Sequence, residues 1–396
     1  MMKNAQMGIV IRKLRIEKGM TITDLAKRVN YSRTYISRLE SGTIETNAET
    51  YEEVFRALDI TYDGDKDERG YEEKLDIIFD MFLHNEVDES YINKTFQDSS
   101  KYKCSSVYPK FMMINLIYKI LYFPRTEETK NHIVEIEKIL NLYNSKEQQI
   151  INDYIGVYYF DRENDKSLLY FEKALKLGDF SQSTCLLHFH LGMIYLKTAN
   201  LCKSLEHCKI AYEKFSNELN YKRMFYTRIN IGIIHSKNGD LEEALVIFKN
   251  LESDKYFSNS NSNIINTNLC WINIKLKRYN DALVYAEKSE KNFTDYYFHL
   301  SYIYSKLGNI EKSLSVIDNG QRNSENLFQN KKLEILKLIL MKKQKTNTYI
   351  KTITEAYDLS KIQGDSETIQ IMRNLLVDHY KSKRAYKAIA KLFVEC

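Results

Sequence analysis

The sequence predicts an all-α protein, on three observations. Helix breakers are scarce: 13 Gly and 2 Pro in 396 residues leave long stretches free of residues that end helices. Residues 5–60 read as short amphipathic helices separated by capped turns. From about residue 150 a small residue recurs at intervals of 31 to 40, with further small and bulky residues at fixed distances behind it, which is the signature of stacked helix pairs. The length allows two or more domains. No apolar run approaches the roughly 20 residues of a membrane span, and no charged-then-apolar leader opens the chain. The six cysteines (Cys104, Cys185, Cys202, Cys208, Cys270, Cys396) form no CxxC and have no His at zinc spacing. A cytoplasmic protein with reduced thiols is expected.

The first helix is expected over residues 5–18, with Ile9, Val10, Ile11 and Leu14 inward and Gly19 as its stop. Thr21 is a natural N-cap for a helix over 22–29, which packs through Leu25, Ala26 and Val29. Asn30 stands where the turn needs a left-handed residue. Ser32 caps a third helix with Ile36 and Leu39 inward, and Gly42 ends it. A fourth helix covers 48–60, with Tyr51, Val54, Phe55 and Leu58 inside. Charge is concentrated here. Lys3 to Arg38 holds nine basic residues against Glu17 and Asp24, while the whole chain carries only +5. A basic end on a near-neutral body suits a phosphate-contacting module.

The pattern Arg12-x-Leu14-Arg15, Lys18-Gly19-x-Thr21, Leu25-Ala26, Ser32, Ile36-Ser37, Leu39-Glu40-x-Gly42 resembles the lambda-repressor/Cro-like (XRE-type) helix-turn-helix. The resemblance implies that the third helix enters the major groove of double-stranded DNA and that a dimer reads a palindromic operator. It assigns base contacts to Arg33 and Arg38, which can each grip a guanine edge, and to Thr34. Ser32 and Tyr35 are assigned to phosphate, and Arg15 and Glu40 to a structural ion pair. Glu45, in a loop where relatives place basic residues, departs from the pattern and makes dimerisation more important. The alternative is a helix-turn-helix used for protein contact.

Residues 62–70 are polar, acidic and bounded by Gly64 and Gly70. The expected domains are therefore 1–62, a linker at 63–70, and 71–396. In the last, the anchors Gly156, Gly192, Gly232, Cys270 and Ser301 are followed twelve residues on by Ser204, Ala244, Ala282 and Ser313 for the last four. Sixteen residues after those four stand Cys208, Phe248, Ala286 and Ile317. The segment 151–178 fits with one residue missing, and 371–395 reads as a final pair with Ala388 and Leu392 in matching places. This resembles tetratricopeptide repeats and implies a right-handed superhelix of seven to nine helix pairs. Such arrays present a surface that binds an extended peptide.

Two residues before the anchors stand Tyr154, His190, Asn230, Asn268 and His299. All can hydrogen-bond, and Asn offers a peptide backbone both donor and acceptor. The Asn-x-small pattern (Asn230-Ile231-Gly232, Asn268-Leu269-Cys270) behind this DNA-binding module resembles the peptide-pheromone-responsive regulators of the RRNPP group. The resemblance implies a homodimeric transcription regulator, controlled by a short signalling peptide in quorum sensing. Arg223, Tyr226 and Trp271 are further groove candidates. The competing view is that these side chains only tie adjacent helices together. Lys197, Lys237, Lys275 and Lys306, five after the last four anchors, suit an acidic ligand or, as the favoured reading, complement the helix dipole. Alternatives for the whole chain are a repeat domain that binds a protein, such as a response regulator or anti-repressor, and a phage lysis–lysogeny regulator. No phosphate loop, HExxH or GxSxG is present. His188 and His190 point about 200° apart on a helix. Neither an enzyme, nor a cofactor, nor a metal is expected.

Overall fold

The computed structural model describes all residues except 1, 62–67, 98–102, 104, 292–294, 324–325, 364–365 and 395–396. Among the described residues there are 22 α-helices and no strand. Cys104, Cys396 and most of the expected linker lie outside them.

The N-terminal bundle comprises α1 (Met2–Glu17), α2 (Ile22–Arg28), α3 (Arg33–Glu40) and α4 (Ala48–Ala57). Its turns are set by local chemistry. Thr21 and Asp24 form a reciprocal capping box, Ser32 Oγ accepts from the Tyr35 N–H, and Asn47 Oδ1 accepts from the Thr50 N–H. Asn30 takes the left-handed conformation at φ 56° between α2 and α3. Ile9, Val10, Ile11, Leu14, Leu25, Ala26, Ile36, Leu39, Tyr51, Val54, Phe55 and Leu58 are buried, and Val29 is half-buried. Gly8 lets α1 lie directly on the end of α3, since a Cβ there would sit 2.5 Å from the Glu40 carbonyl oxygen.

α5 (Glu68–His84) begins inside the expected linker, so residues 68–70 are helical. The reason is Glu68. An acid favours a helix N-terminus, and its Oε1 accepts from both the N–H and Oγ of Ser106 at 3.0 Å. α6 (Glu89–Gln97), α7 (Tyr108–Tyr122) and α8 (Glu127–Glu137) follow. α7 buries residues on every side and packs on α1, α5, α8 and α9 (Ser145–Tyr159). One continuous apolar core therefore runs from Met7 to Tyr158. The chain forms two compact units, 1–194 with 210–223 and 195–209 with 224–396, so its packing division does not fall at residues 63–70.

Seven helix pairs complete the chain: α9 with α10 (Asn164–Leu175), α11 (Gln182–Lys197) with α12 (Leu201–Asn217), α13 (Tyr221–Asn238) with α14 (Leu241–Glu252), α15 (Ser262–Lys275) with α16 (Tyr279–Lys288), α17 (Tyr296–Lys306) with α18 (Ile310–Asn323), α19 (Leu327–Leu340) with α20 (Asn347–Gln363), and α21 (Ser366–Ser382) with α22 (Tyr386–Val394). All five repeat anchors are buried, as are the residues twelve and sixteen behind them. At Gly156 and Gly232 the anchor must be small because a ring lies on it. A Cβ on Gly156 would come within 2.5 Å of Phe171, and one on Gly232 within 2.7 Å of Phe248. Within a pair, Ser313 Oγ donates to the Ser301 carbonyl at 2.7 Å, and Ser167 Oγ donates to the Gly156 carbonyl at 2.8 Å. The second spans 11 residues where the first spans 12, which is the missing residue of the 151–178 unit.

The turn seven residues after an anchor is left-handed at Ala199 (φ 60°), Gly239 (φ 95°), Lys277 (φ 60°) and Gly308 (φ 80°). In the final pair Leu392 is buried and Ala388 half-buried. The Ser-Asn stretch at 258–263 is tied to the units beside it. Asn261 is buried and donates to the Phe257 carbonyl at 2.8 Å, Asn263 accepts from the Glu290 N–H at 2.9 Å, and Ser262 opens α15.

Candidate functional site

α3 presents an outward face built from its back. Arg15 Nε and Nη2 donate to the two Glu40 oxygens at 2.5 and 2.8 Å, and Nη1 donates to the Met20 carbonyl at 2.7 Å. Both side chains are buried, so the pair fixes the end of α3 against α1. In front, Ser32, Arg33, Thr34 and Arg38 are exposed. Arg33, Thr34 and Arg38 make no side-chain hydrogen bond or ion pair among the described residues. Two guanidiniums five residues apart on a capped helix can dock on an acceptor-rich surface. Tyr35 is more constrained: its ring stacks on Tyr31 with centroids 4.8 Å apart, and its hydroxyl shares a hydrogen bond with Thr46 at 3.1 Å. Glu45 is exposed in the following loop.

The groove candidates separate into two sets. In the first unit, Tyr154 is 3% exposed, and burial raises its pKa to well above 10. His190 Nδ1 lies 2.9 and 3.1 Å from the carboxylate oxygens of buried Asp153, and its ring packs on Phe171 and Tyr154. Arg223 closes the end of α5: Nε donates to the Leu83 carbonyl at 3.0 Å and Nη2 to the Phe82 carbonyl at 2.8 Å. Its guanidinium satisfies helix-end carbonyls. The expectation of Arg223 as a groove residue did not include this second task.

In the second unit, Asn268, Trp271 and His299 come together on one pocket of about 250 Å³. Trp271 stacks on His299 at 5.2 Å and 16°, and its Nε1 donates to Glu367 at 3.3 Å. Glu367 is also held by Lys275 at 2.8 Å. Asp295, in the same wall, accepts from Lys332 at 2.5 Å and Gln329 at 2.8 Å. Burial pushes the Asp295 carboxyl up, but Lys332, His299 and those hydrogen bonds outweigh it and leave it below its usual value. Burial drives His299 down to about 4, so it is neutral near pH 7. Phe298, Ile371 and Met372 complete an apolar floor. Asn268 Nδ2 donates to the Ile264 carbonyl at 2.8 Å, which leaves its Oδ1 as an acceptor. Asn230, on α13, is different: its Nδ2 is buried with no hydrogen-bond partner. Tyr226 is half-buried against the adjacent core.

Asp295, Lys332 and Glu367 were not foreseen. The available signal was Lys332, a cation amid Phe328, Leu333 and Leu336 on the buried face of α19. Of the lysine series, Lys275 serves Glu367 and the Ser236 carbonyl, Lys306 lies over the Tyr302 ring, and Lys237 is exposed. Cys185, Cys208 and Cys270 are buried, and burial raises their thiols to about 11, 12 and 12. Among the described residues no group of His, Cys, Asp or Glu is placed to hold a metal ion, and no helix is long and apolar enough to cross a membrane.

Residues 11–64 match the helix-turn-helix family model, and residues 294–319 match a tetratricopeptide-repeat model. No curated protein matches the sequence. Among solved structures the chain resembles the apo form of the quorum sensor NprR from B. thuringiensis, with 18% identity over 82% of this chain and 99% of that one and a TM-score of 0.67. It also resembles NprR in complex with its cognate peptide NprX (17% identity, 83% and 99% covered, TM-score 0.59). A third is a Rap protein complexed with competence and sporulation factor (15% identity, 83% and 96% covered, TM-score 0.63). At such identities the likeness establishes the fold.

Proposed function

We propose, for a chain whose helix-turn-helix and tetratricopeptide-type repeats give it the architecture of RRNPP-type regulators, that it is a peptide-controlled, sequence-specific transcription regulator rather than an enzyme. On this reading residues 1–62 bind DNA, and residues 71–396 sense a short signalling peptide and dimerise. The observation that carries it is the exposed, unpaired trio Arg33, Thr34 and Arg38 on a helix held from behind by a buried bidentate ion pair. Arg33 and Arg38 read base edges, Thr34 touches a base or a thymine methyl, and Ser32 and Tyr35 contact phosphate.

The protein acts in the cytoplasm as a homodimer on a palindromic operator. The two α3 helices then meet half-sites at a fixed separation. A peptide that favours one arrangement of the dimer over another changes whether both helices reach the groove. Resemblance to the peptide-bound NprR fold supports placing the ligand in the repeats. The pocket at Asn268, Trp271 and His299 offers an aromatic wall, an amide acceptor and ion-paired acids, which suits a peptide with one apolar and one polar side chain. Asn230 Nδ2, buried and without a hydrogen-bond partner, would gain one from a peptide carbonyl that reaches it.

Genome-wide DNA capture with the purified protein, with and without a peptidic extract of spent medium, tests the proposal. A palindromic site whose occupancy changes with the extract supports it. A site indifferent to the extract removes the peptide from the reading, and no site in either condition removes the DNA. In the double variant Arg33→Ala/Arg38→Ala, operator affinity falls by about 1–3 kcal/mol for each lost bidentate contact while the fold is retained. Unchanged affinity in that variant would sink the assignment of base contacts.

A further inference from the structure

The first compact unit holds a cavity of about 280 Å³ outside every site described above. Lys13 of α1, Tyr108, Asn115 and Lys119 of α7, and His132 and Glu135 of α8 face it. His132 is 8% exposed, and its Nδ1 is buried with no hydrogen-bond partner. Native structures rarely leave such a group orphaned, and a bound ligand or water is its usual partner. Burial, helped by the charges of Lys119 and Lys13, holds His132 at about 3. The ring is therefore neutral near pH 7 and offers one N–H donor and one acceptor.

The two lysines beside it are unequally matched with their counter-charges. The Lys13 side chain is 10% exposed and its partner Glu17 is 44% exposed. The Lys119 side chain is 18% exposed and its partner Glu128, at 2.9 Å, is 75% exposed. Ion pairs with one partner in water are weak, so each glutamate can be released to solvent at little cost. The ammoniums would stay where they are. Lys13 also lies over the Tyr108 ring at 5.3 Å, and burial raises the Tyr108 hydroxyl, which keeps its proton and can donate. Asn115 is half-buried on the same wall. Two sheltered ammoniums, an unpartnered imidazole and neutral donors around one cavity are the chemistry of an anion site. Glu135, exposed at the same cavity, disfavours a polyanion.

We propose that this cavity binds a small anion with a single carboxylate or phosphoryl head, held by Lys13, Lys119 and His132. The site links α1 to α7 and α8 and does not depend on the function proposed above. Isothermal titration calorimetry of the full chain with inorganic phosphate, and separately with acetate, tests it and separates the phosphoryl from the carboxylate source. At least one anion gives saturable heat, and its affinity falls by about tenfold or more in Lys119→Gln, the loss of one charged hydrogen bond. His132→Phe, which fills the cavity, has the same effect. Circular dichroism establishes that each variant is folded, and Lys119→Gln, on a partly exposed wall, decides the matter if His132→Phe is not. Absence of saturable heat with both anions, or undiminished binding in folded Lys119→Gln, overturns the proposal.

Discussion

Arg15 makes three hydrogen bonds, to both oxygens of Glu40 and to the Met20 carbonyl, in a site with almost no water. Arg15→Ala would leave Glu40 charged and buried, so unfolding by urea should show a loss of about 3–5 kcal/mol. Lys cannot restore the bidentate geometry, and Arg15→Lys should remain well below wild type. The two groove asparagines make opposite predictions. Asn268 Nδ2 already serves the Ile264 carbonyl, whereas Asn230 Nδ2 has no partner. Asn230→Ala therefore leaves stability unchanged or slightly higher and weakens peptide binding by roughly 1–2 kcal/mol. A clear loss of stability with intact peptide affinity would count against its proposed role. Caps and ends such as Thr21, Asn30 and Ser32 were legible because their chemistry lies within three residues. The second tasks of Arg223 and Asn268 were not, because the carbonyl each one satisfies becomes visible only once the helices are placed.

Helix pairs are held at their anchors and turned at their left-handed residues. Gly156→Ala and Gly232→Ala push a methyl group into the Phe171 and Phe248 rings, so each should lower stability by about 1–3 kcal/mol, read from the shift in thermal midpoint. The turns predict the reverse. Ala199 and Lys277 sit in the left-handed region where the equivalent positions carry Gly239 and Gly308. Relief of about 1 kcal/mol of strain is partly offset by glycine's larger unfolded freedom. Ala199→Gly and Lys277→Gly should each raise stability by a few tenths to about 1 kcal/mol, and a lower thermal midpoint would refute the argument. The repeat was legible from α9 to α18 because a small residue stands wherever the two helices of a pair cross closely. It was blurred in α5 to α8, where α7 buries apolar side chains around most of its circumference and carries no single narrow stripe.

Across the whole molecule, two buried histidines link stability to pH. His299 lies at about 4 and His132 at about 3, both lowered by burial, against 6.5 for an ordinary histidine. Between 6.5 and those values the unfolded chain binds more protons than the folded one. Their contribution is therefore complete above about pH 6.5 and is lost as pH falls toward about 4, by up to about 1.4 kcal/mol per pH unit for each histidine. Urea midpoints at pH 7 and pH 5 should show this loss, and His132→Phe/His299→Phe should flatten it. The all-helical architecture was legible from the lack of breakers and the repeat interval. The continuity of the N-terminal core with α7 and α9 was not, because an acidic, glycine-bounded stretch looks the same whether the helices beside it are separate or packed together. In the second unit, the helices from α14 to α22 pack chiefly against those one or two places away in sequence. Such an array opens from its free end rather than all at once. Amide hydrogen exchange should therefore be fastest in α22, slow progressively toward α15, and quicken throughout α21 once the clasp of Glu367 on Trp271 and Lys275 is cut.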